Sequence, residues 1–559
     1  MNPKSDIERK LSQISREAEE RDAKQRADKL NLPYLDLGTA PLEVDALGLV
    51  PEATARRAKA AVMGKKRNIL VLAAYDPEAA ETKKLFEDLQ AKKFVLKISV
   101  VSISGLEHVW NFYQFLHAVG DDITGKVAIS GKHLQEFREE LKTLQAAILE
   151  IKKRSEGNMR AGDFLEIFLA TALTLGASDI HLEPENDAVK FRLRLDGLLH
   201  DIFSKIKKED YSLLLSRIKL LSGLKLNLHH ISQDGRFTIG VDNREIEIRV
   251  SVLPSEYGET IVLRILDPVT IQLKLSDLGL RPDDLALVEA ELKKPNGMIL
   301  NTGPTGSGKT TTLYAFLLHV QNTEIKIITI ENPIEYRLEG VEQTQIDDES
   351  GYTFENGLRA IVRQDPDVIL VGEIRDKETA DIAMHASLTG HLVFSTLHTN
   401  DSFGTIPRLI DLGVKPSVLG PAINLIIAQR LVRRLCDHCK KPLAASPEVL
   451  KHINEFMQKL NDRVEKSAYR EVKLFSAVGC EACGQIGYKG RIAVFEFLRV
   501  DDDISEVIYK DPSEVAVKTA AEKQGVITLQ EDGILKAISG ITTLEEVIRI
   551  TGPVTWYAP

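Results

Sequence analysis

The stretch from Met298 to Thr311 limits the fold more than any other part of the chain. Met298-Ile299-Leu300-Asn301-Thr302 is an apolar run of strand length that leads straight into Gly303-Pro304-Thr305-Gly306-Ser307-Gly308-Lys309-Thr310, after which Thr311 continues as a helix. The pattern GxxxxGK[ST] between a buried strand and a helix belongs in a doubly wound α/β core. Its glycines let the backbone wrap a phosphate with N–H groups, and the helix N-terminus adds partial positive charge. Lys309 can reach β- and γ-phosphates, and the Thr310 hydroxyl suits Mg²⁺. The expectation is a nucleotide site lined by Gly303, Pro304, Thr305, Gly306, Ser307, Gly308, Lys309, Thr310 and Thr311.

Binding a nucleotide is not hydrolysing it, because hydrolysis needs a carboxylate that orients or activates water. Two further strand-like runs supply candidates. Ile325 to Ile330 leads into Glu331-Asn332-Pro333-Ile334-Glu335, and Val368 to Val371 leads into Gly372-Glu373. Functional groups of α/β sheets sit just past strand C-terminal ends, where these acids fall. A third run, Leu392 to Leu397, is bracketed by His391 and His398, read here as a pair that senses or orients the nucleotide.

Composition closes off other classes. The 559 residues carry 72 basic and 82 acidic side chains, and a dedicated nucleic-acid binder would show a basic footprint instead. No apolar run approaches the ~18 residues of a membrane span. Half of the first 30 residues are charged, so no secretory signal is expected there. These features lead to the expectation of a soluble cytoplasmic protein that reaches a membrane only through partners. All four cysteines lie in two CxxC pairs, Cys436/Cys439 and Cys480/Cys483. That clustering points to metal ligation in a reducing compartment rather than to a disulfide framework, with free buried thiols or a redox pair as competing readings.

The remaining chain reads as separate α/β segments. Residues 1–29 form a charged helix expected to pack weakly or fray. Leu32 to Leu37, Ile69 to Leu72 and Phe94 to Val101 read as strands and Pro77 to Ala91 as a helix, giving a small α/β domain over 1–125. Leu134, Phe137, Leu141, Leu144, Ile148 and Ile151 make one apolar seam, so 126–158 reads as a linker helix closed by a loop at Ser155 to Asn158. Residues 159–268 open with a helix from Phe164 to Leu175. Phe191 to Leu195 and Arg244 to Val250 then alternate polar and apolar like a half-exposed sheet. Residues 269–559 alternate buried strands with helices.

At this point the residues resemble a known family, the hexameric secretion ATPases that drive type IV pilus assembly and type II secretion. The resemblance covers roughly residues 30–550 and is carried by Ala177-Ser178-Asp179-Ile180-His181, Arg194-Leu195-Asp196-Gly197 and Gln233-Asp234-Gly235-Arg236 ahead of the phosphate loop. After the loop, Glu331 to Glu335 resembles the aspartate box, Arg363 to Glu373 the Walker B segment, and Thr389 to His398 the histidine box.

The resemblance implies a RecA-like ATPase core over 269–559, preceded by a PAS-like α/β domain over 159–268 and a small N-terminal partner-adaptor domain. It implies that Glu335 is the catalytic carboxylate, Glu373 the Walker B acid, and Arg236, Arg249 and Arg264 arginines that stabilise the γ-phosphate. Asn332 departs from the family, which has Asp there, and a neutral amide cannot act as a base. The family's assembly and secretion motors carry a tetracysteine zinc element, here about 430–495, with His438 a bystander. The Arg-Leu-Gly motif for cyclic di-GMP is missing ahead of Leu30, so that ligand is not expected.

The implied protein is a homo-hexamer at the cytoplasmic face of the inner membrane. It would use ATP, Mg²⁺ and Zn²⁺ and push on an inner-membrane platform protein, with no nucleic-acid partner. Pilus assembly is the first expectation and type II secretion the alternative. A nucleotide-gated scaffold with little hydrolysis and a nucleic-acid translocase are more distant readings.

Overall fold

A computed structural model describes residues 3–113, 126–127, 144–155, 161–241, 244–268 and 273–557. The chain forms two compact units, Met1–Leu266 and Asp267–Pro559.

The first unit holds two sheets. The smaller has three strands in the order Ala60–Lys66, Ile69–Ala74 and Val95–Val100. The first pair is antiparallel and the second parallel. The Ala60–Lys66 strand is absent from the sequence reading, since alanine, glycine and lysine are weak strand formers. Conversely, Leu32 to Leu37 is not a strand and contributes only a bridge from Tyr34 to Val100.

The C-terminal half of the charged helix Pro3–Leu30 packs more closely than the sequence reading expects. Ala23 and Ala27 are fully buried, Glu20 accepts hydrogen bonds from Tyr34 and Ser102, and Arg26 donates to the carbonyls of Tyr75 and Val101. Small side chains on one stripe give a charged helix a buried face that its overall polarity conceals.

The second sheet of this unit has seven strands, with Gln233–Val241, Arg244–Ser255, Gly258–Leu266, Asp179–Pro184, Val189–Leu195 and Leu198–Ile206 running antiparallel in that spatial order. Lys126–Val127 adds a short parallel edge beside Gln233–Val241. The helices Ala161–Leu175 and Lys208–Leu221 belong to the same unit. Leu144–Ser155 is helical, with Ile151 buried, whereas Leu134 to Leu141 and residues 156–158 lie outside the described residues.

In the second unit seven strands lie in the spatial order Glu342–Gln345, Ile327–Glu331, Val368–Val371, Leu392–Leu397, Gly297–Thr302, Ile423–Leu435, Tyr488–Arg499. The first six are parallel and the last is antiparallel. Gly297–Thr302 is buried at every position. Met298 and Leu300 enter the apolar cluster on one face of the sheet, and Ile299 enters the cluster on the other. Burial on both faces is what a central parallel strand requires, and it explains the run of apolar residues before the phosphate loop.

A buried charge network ties the first helix of this unit to its C-terminal helices. Arg281 pairs with Asp284 and Asp532, both at 2.7 Å, and Lys536 pairs with Asp532 at 2.5 Å. Among the described residues no helix is long and apolar enough to cross a membrane.

Candidate nucleotide and metal sites

The phosphate loop turns at the C-terminal end of the central strand. Gly303, Gly306 and Gly308 all have positive φ, at 150°, 79° and 91°. A side chain at Gly303 would meet the Gln429 carbonyl oxygen at 2.5 Å, and one at Gly308 the Gln429 amide nitrogen at 2.8 Å. Both positions therefore need glycine on space as well as on backbone. The helix Lys309–Val320 begins immediately, leaving its first N–H groups turned into the loop. Buried Ser307 has a hydroxyl with no hydrogen-bond partner, a spare polar group beside these amides. Thr310 occupies the first turn, half-buried.

Lys309 is only 9% exposed, and its ammonium donates to the carbonyls of Gly303 and Pro304 at 2.7 and 3.2 Å. Burial lowers its pKa to about 8, with the Glu373 carboxylate opposing the shift and Arg430 adding to it. A desolvated cation inside a ring of N–H groups is matched to a polyanion.

Three neighbouring strands deliver the other groups. The Gly372 N–H donates to the Ile330 carbonyl at 2.8 Å, and a side chain on Gly372 would meet the Glu331 Cα at 3.3 Å, so the two acidic segments touch. Thr396 bonds the Gly372 carbonyl at 2.7 Å, which sets the end of the next strand beside Glu373. His398 Nε2 consequently lies 3.7 Å from Glu373, whose other oxygen pairs with Arg375 at 2.6 Å. Burial, then the Lys309 charge, push His398 below the ordinary histidine range, so its ring is neutral at neutral pH. Lys309, Glu373 and His398 thus converge.

Glu335 sits half-buried four residues beyond Glu331, and its charge bears on that buried carboxylate. Glu331 itself belongs to the strand Ile327–Glu331 rather than to the loop after it.

His391 does not join the site. Its Nδ1 bonds the Ala386 carbonyl at 2.9 Å, and its carbonyl accepts from Gly297, the residue that starts the phosphate-loop strand. A strand advances about 3.3 Å per residue, so residues bracketing six strand positions end on opposite edges of the sheet. The bracketing pair of the sequence reading is therefore split, with His398 at the phosphate edge and His391 at the far one.

Arg375, Arg430, Gln429 and Thr399 were not found from sequence. Asn301 donates to Gln429 at 2.8 Å, Thr302 and Thr399 share a 2.6 Å hydroxyl contact, and Arg430 donates to the Asn400 carbonyl at 3.0 Å. For Gln429 and Arg430 the signal is register, because Ala428 pairs with Thr302, which puts residues 429 and 430 just past the end of the phosphate-loop strand.

The three arginines lie in the other unit, on its large sheet. Arg236 pairs directly with Arg249, Arg249 with Arg264, Arg264 with Asp179, and Asp179 with Arg194. Residues directly opposite on antiparallel strands share a face, so the side chains form one transverse row. Asp179 holds Arg264 at 3.0 Å and Arg194 at 3.3 Å, while Glu247 lies 3.4 Å from Arg249 and 3.6 Å from Arg236. Arg194, which the sequence reading places in a motif but gives no role, is a further member of the row.

The four cysteines form the one His/Cys/Asp/Glu cluster of metal-binding type among the described residues, with all four sulfurs within 4.8 Å of one another. Three separations are 3.9, 3.8 and 3.8 Å. A zinc ion with four Zn–S bonds of about 2.3 Å has sulfurs about 3.8 Å apart, so the set fits a closed tetrahedral site. Backbone N–H groups of Cys480 and Gly487 donate to the Cys483 sulfur at 3.2 Å each. Leu435 pairs with Tyr488, so the cysteines close the open end of the last two strands of the sheet, and His438 stays exposed.

The family model described as "Type II/IV secretion system protein" matches residues 156–549. A "Type II secretion system protein E" of Pseudomonas aeruginosa is 44% identical over 387 residues, covering 69% of this chain and 74% of that one. A "Type IV pilus assembly ATPase PilB" of Thermus thermophilus is 36% identical over 534 residues, covering 94% of this chain and 57% of that one. Among solved structures, the Legionella pneumophila ATPase DotB aligns with a TM-score of 0.50 and 22% identity over 69% of this chain and 94% of that one, a likeness of fold.

Proposed function

This chain belongs to the type II/IV secretion system protein family, and we propose that it is an ATP-hydrolysing motor of a type II secretion machine. The observation that carries the reading is the meeting of Lys309, Glu373 and His398 at the mouth of a phosphate loop. The 44% identity to a type II secretion protein E favours secretion. Pilus assembly is the second reading, favoured by the PilB relative because it matches 94% of the chain, including the N-terminal region.

In this mechanism the amides from Gly303 to Thr311 and the Lys309 ammonium bind the β- and γ-phosphates. Thr310 and Glu373 would hold Mg²⁺, which neutralises charge between those phosphates when bound. Glu335 orients the attacking water toward the γ-phosphorus, and the β–γ bridging bond breaks to give ADP and phosphate. His398 reports on the γ-phosphate through Glu373. Arg249 and Arg264, with Arg236 at the edge of the row, stabilise charge on the transferring group. A sheet carrying three arginines directly opposite one another carries a repulsive cost, which supports a role outside the sheet itself.

The cysteines hold structural zinc. The working assembly is a homo-hexamer at the cytoplasmic face of the inner membrane, acting on a platform protein without nucleic acid. Within it residues 1–125 are the adaptor, 126–158 the linker, 159–268 the arginine-supplying domain and 269–559 the ATPase. The test is phosphate release from ATP by the full chain and by Glu335→Gln. The proposal expects turnover by the parent, unchanged by added DNA, and almost none in the variant. Equal rates, or a parent that binds ATP and releases no phosphate, contradict it.

A further inference from the structure

Resting on the assignment of Glu335 as the water-orienting carboxylate, we infer that Tyr314 is a positioning residue, whose hydroxyl docks the Glu335 segment onto the phosphate-loop helix. Tyr314 lies on the helix Lys309–Val320 and is fully buried. It stands four residues after Thr310, on the same helical face and one turn behind it. Its hydroxyl donates to Glu331 Oε2 at 2.5 Å and accepts from the backbone N–H groups of Glu335 and Tyr336.

Glu331 is only 3% exposed and completes the lock. Its other oxygen accepts from the Thr329 hydroxyl at 2.6 Å and from the Gln343 amide at 3.3 Å. Gln343 also donates to the Tyr336 carbonyl at 2.8 Å and accepts from Leu338 N–H at 2.7 Å. The Tyr336 ring meets the Tyr314 ring edge-on at 6.2 Å. The segment carrying Glu335 is thus held on both sides of that residue, by Glu331 before it and by Tyr336 and Leu338 after it.

The arrangement is more than core filling. A buried tyrosine needs one partner for its hydroxyl. This one has partners on the strand end and on the segment that follows, while its own helix begins at Lys309. Any displacement of that helix by bound phosphate therefore carries Glu335 with it. A shift of about 1 Å in a reacting group costs on the order of 10²-fold in rate, so loss of the hydroxyl should be read in turnover.

The experiment is steady-state ATP hydrolysis by the full chain carrying Tyr314→Phe, Glu335→Gln and both together, with fluorescent-nucleotide binding as the check of folding. Tyr314→Phe is expected to lower kcat roughly 10- to 100-fold while KM stays near the parental value. In the Glu335→Gln background it should add no further loss, because the hydroxyl acts through that carboxylate. Glu331→Gln, which keeps the volume and removes one acceptor oxygen, should reproduce the kcat loss even if Tyr314→Phe folds poorly. Parental kcat in Tyr314→Phe, or a further equal loss on top of Glu335→Gln, overturns the inference and leaves the motor reading standing. Parental turnover in Glu335→Gln itself overturns the catalytic assignment and this inference with it.

Discussion

The two large sheets present charge in opposite ways. In the second unit Lys309 is 9% exposed and the Glu373 side chain 13%, each held by hydrogen bonds at the ends of buried parallel strands. In the first unit the Arg236 and Arg264 side chains are 65% and 54% exposed, held across one face of an antiparallel sheet by Glu247 and Asp179. In one, the charged groups are buried at strand ends beside the phosphate loop. The other is a row of cations in which the outer Arg236 and Arg264 are exposed while Arg249 between them is only 21% exposed, fit to act on an anion that the row does not itself enclose.

The largest effects should come from breaking the buried side. Lys309→Ala removes the one buried ammonium facing the loop, and no measurable ATP binding is expected by equilibrium titration. Glu373→Gln should bind ATP at near-parental affinity and barely turn over, since that carboxylate acts on metal and water rather than on the phosphates. Near-normal turnover in Glu373→Gln would remove the acid from the site.

A smaller effect sharpens the contrast in stability. The cysteines lie at one end of the antiparallel pair that closes one side of the nucleotide sheet, and structural zinc contributes about 10–16 kcal/mol to folding in small finger peptides. Elemental analysis should find one zinc per chain, and Cys436→Ser should abolish it. Hydrogen-exchange protection should then fall in Ile423–Leu435 and Tyr488–Arg499 while staying parental in Gln233–Val241 and Arg244–Ser255. Uniform loss across both sheets would show that the zinc's contribution is not local.

The smallest effect is in pH, and it distinguishes lysine from arginine. Burial lowers Lys309 from 10.5 to about 8, so the free protein loses this proton as pH rises through about 8. Bound phosphates favour the charged form, so binding takes up a proton and affinity falls at higher pH. KM for ATP should climb toward about tenfold per pH unit above 8. Arginines stay protonated throughout, and Lys309→Arg should flatten the profile. A parental KM that is flat to pH 9.5 contradicts the shift.

Legibility in the sequence followed how local each feature is. The strand before the phosphate loop was read as 298–302 and runs Gly297–Thr302, and Leu392–Leu397 was read at its observed limits. Both are apolar runs bounded by turn signals. The Ala60–Lys66 strand carried no such signal. The pairing of His391 with His398 failed because adjacency in sequence across a strand is separation in space. Tyr314, Arg430 and the cross-strand row ending at Arg194 depend on which strands are neighbours and in what register. A single sequence contains none of that.

The proposed action of the arginine row on the transferring phosphoryl group is tested most directly by Arg264→Ala in the full chain. ATP turnover would be measured beside nucleotide affinity, with assembly size checked by sizing. Arginines supplied to phosphoryl transfer are worth roughly 10³–10⁵ in rate where they have been isolated. The account predicts parental affinity and assembly with turnover lower by orders of magnitude. Turnover at the parental rate in an intact assembly would make Arg264 a solvated partner of Asp179 and contradict the account.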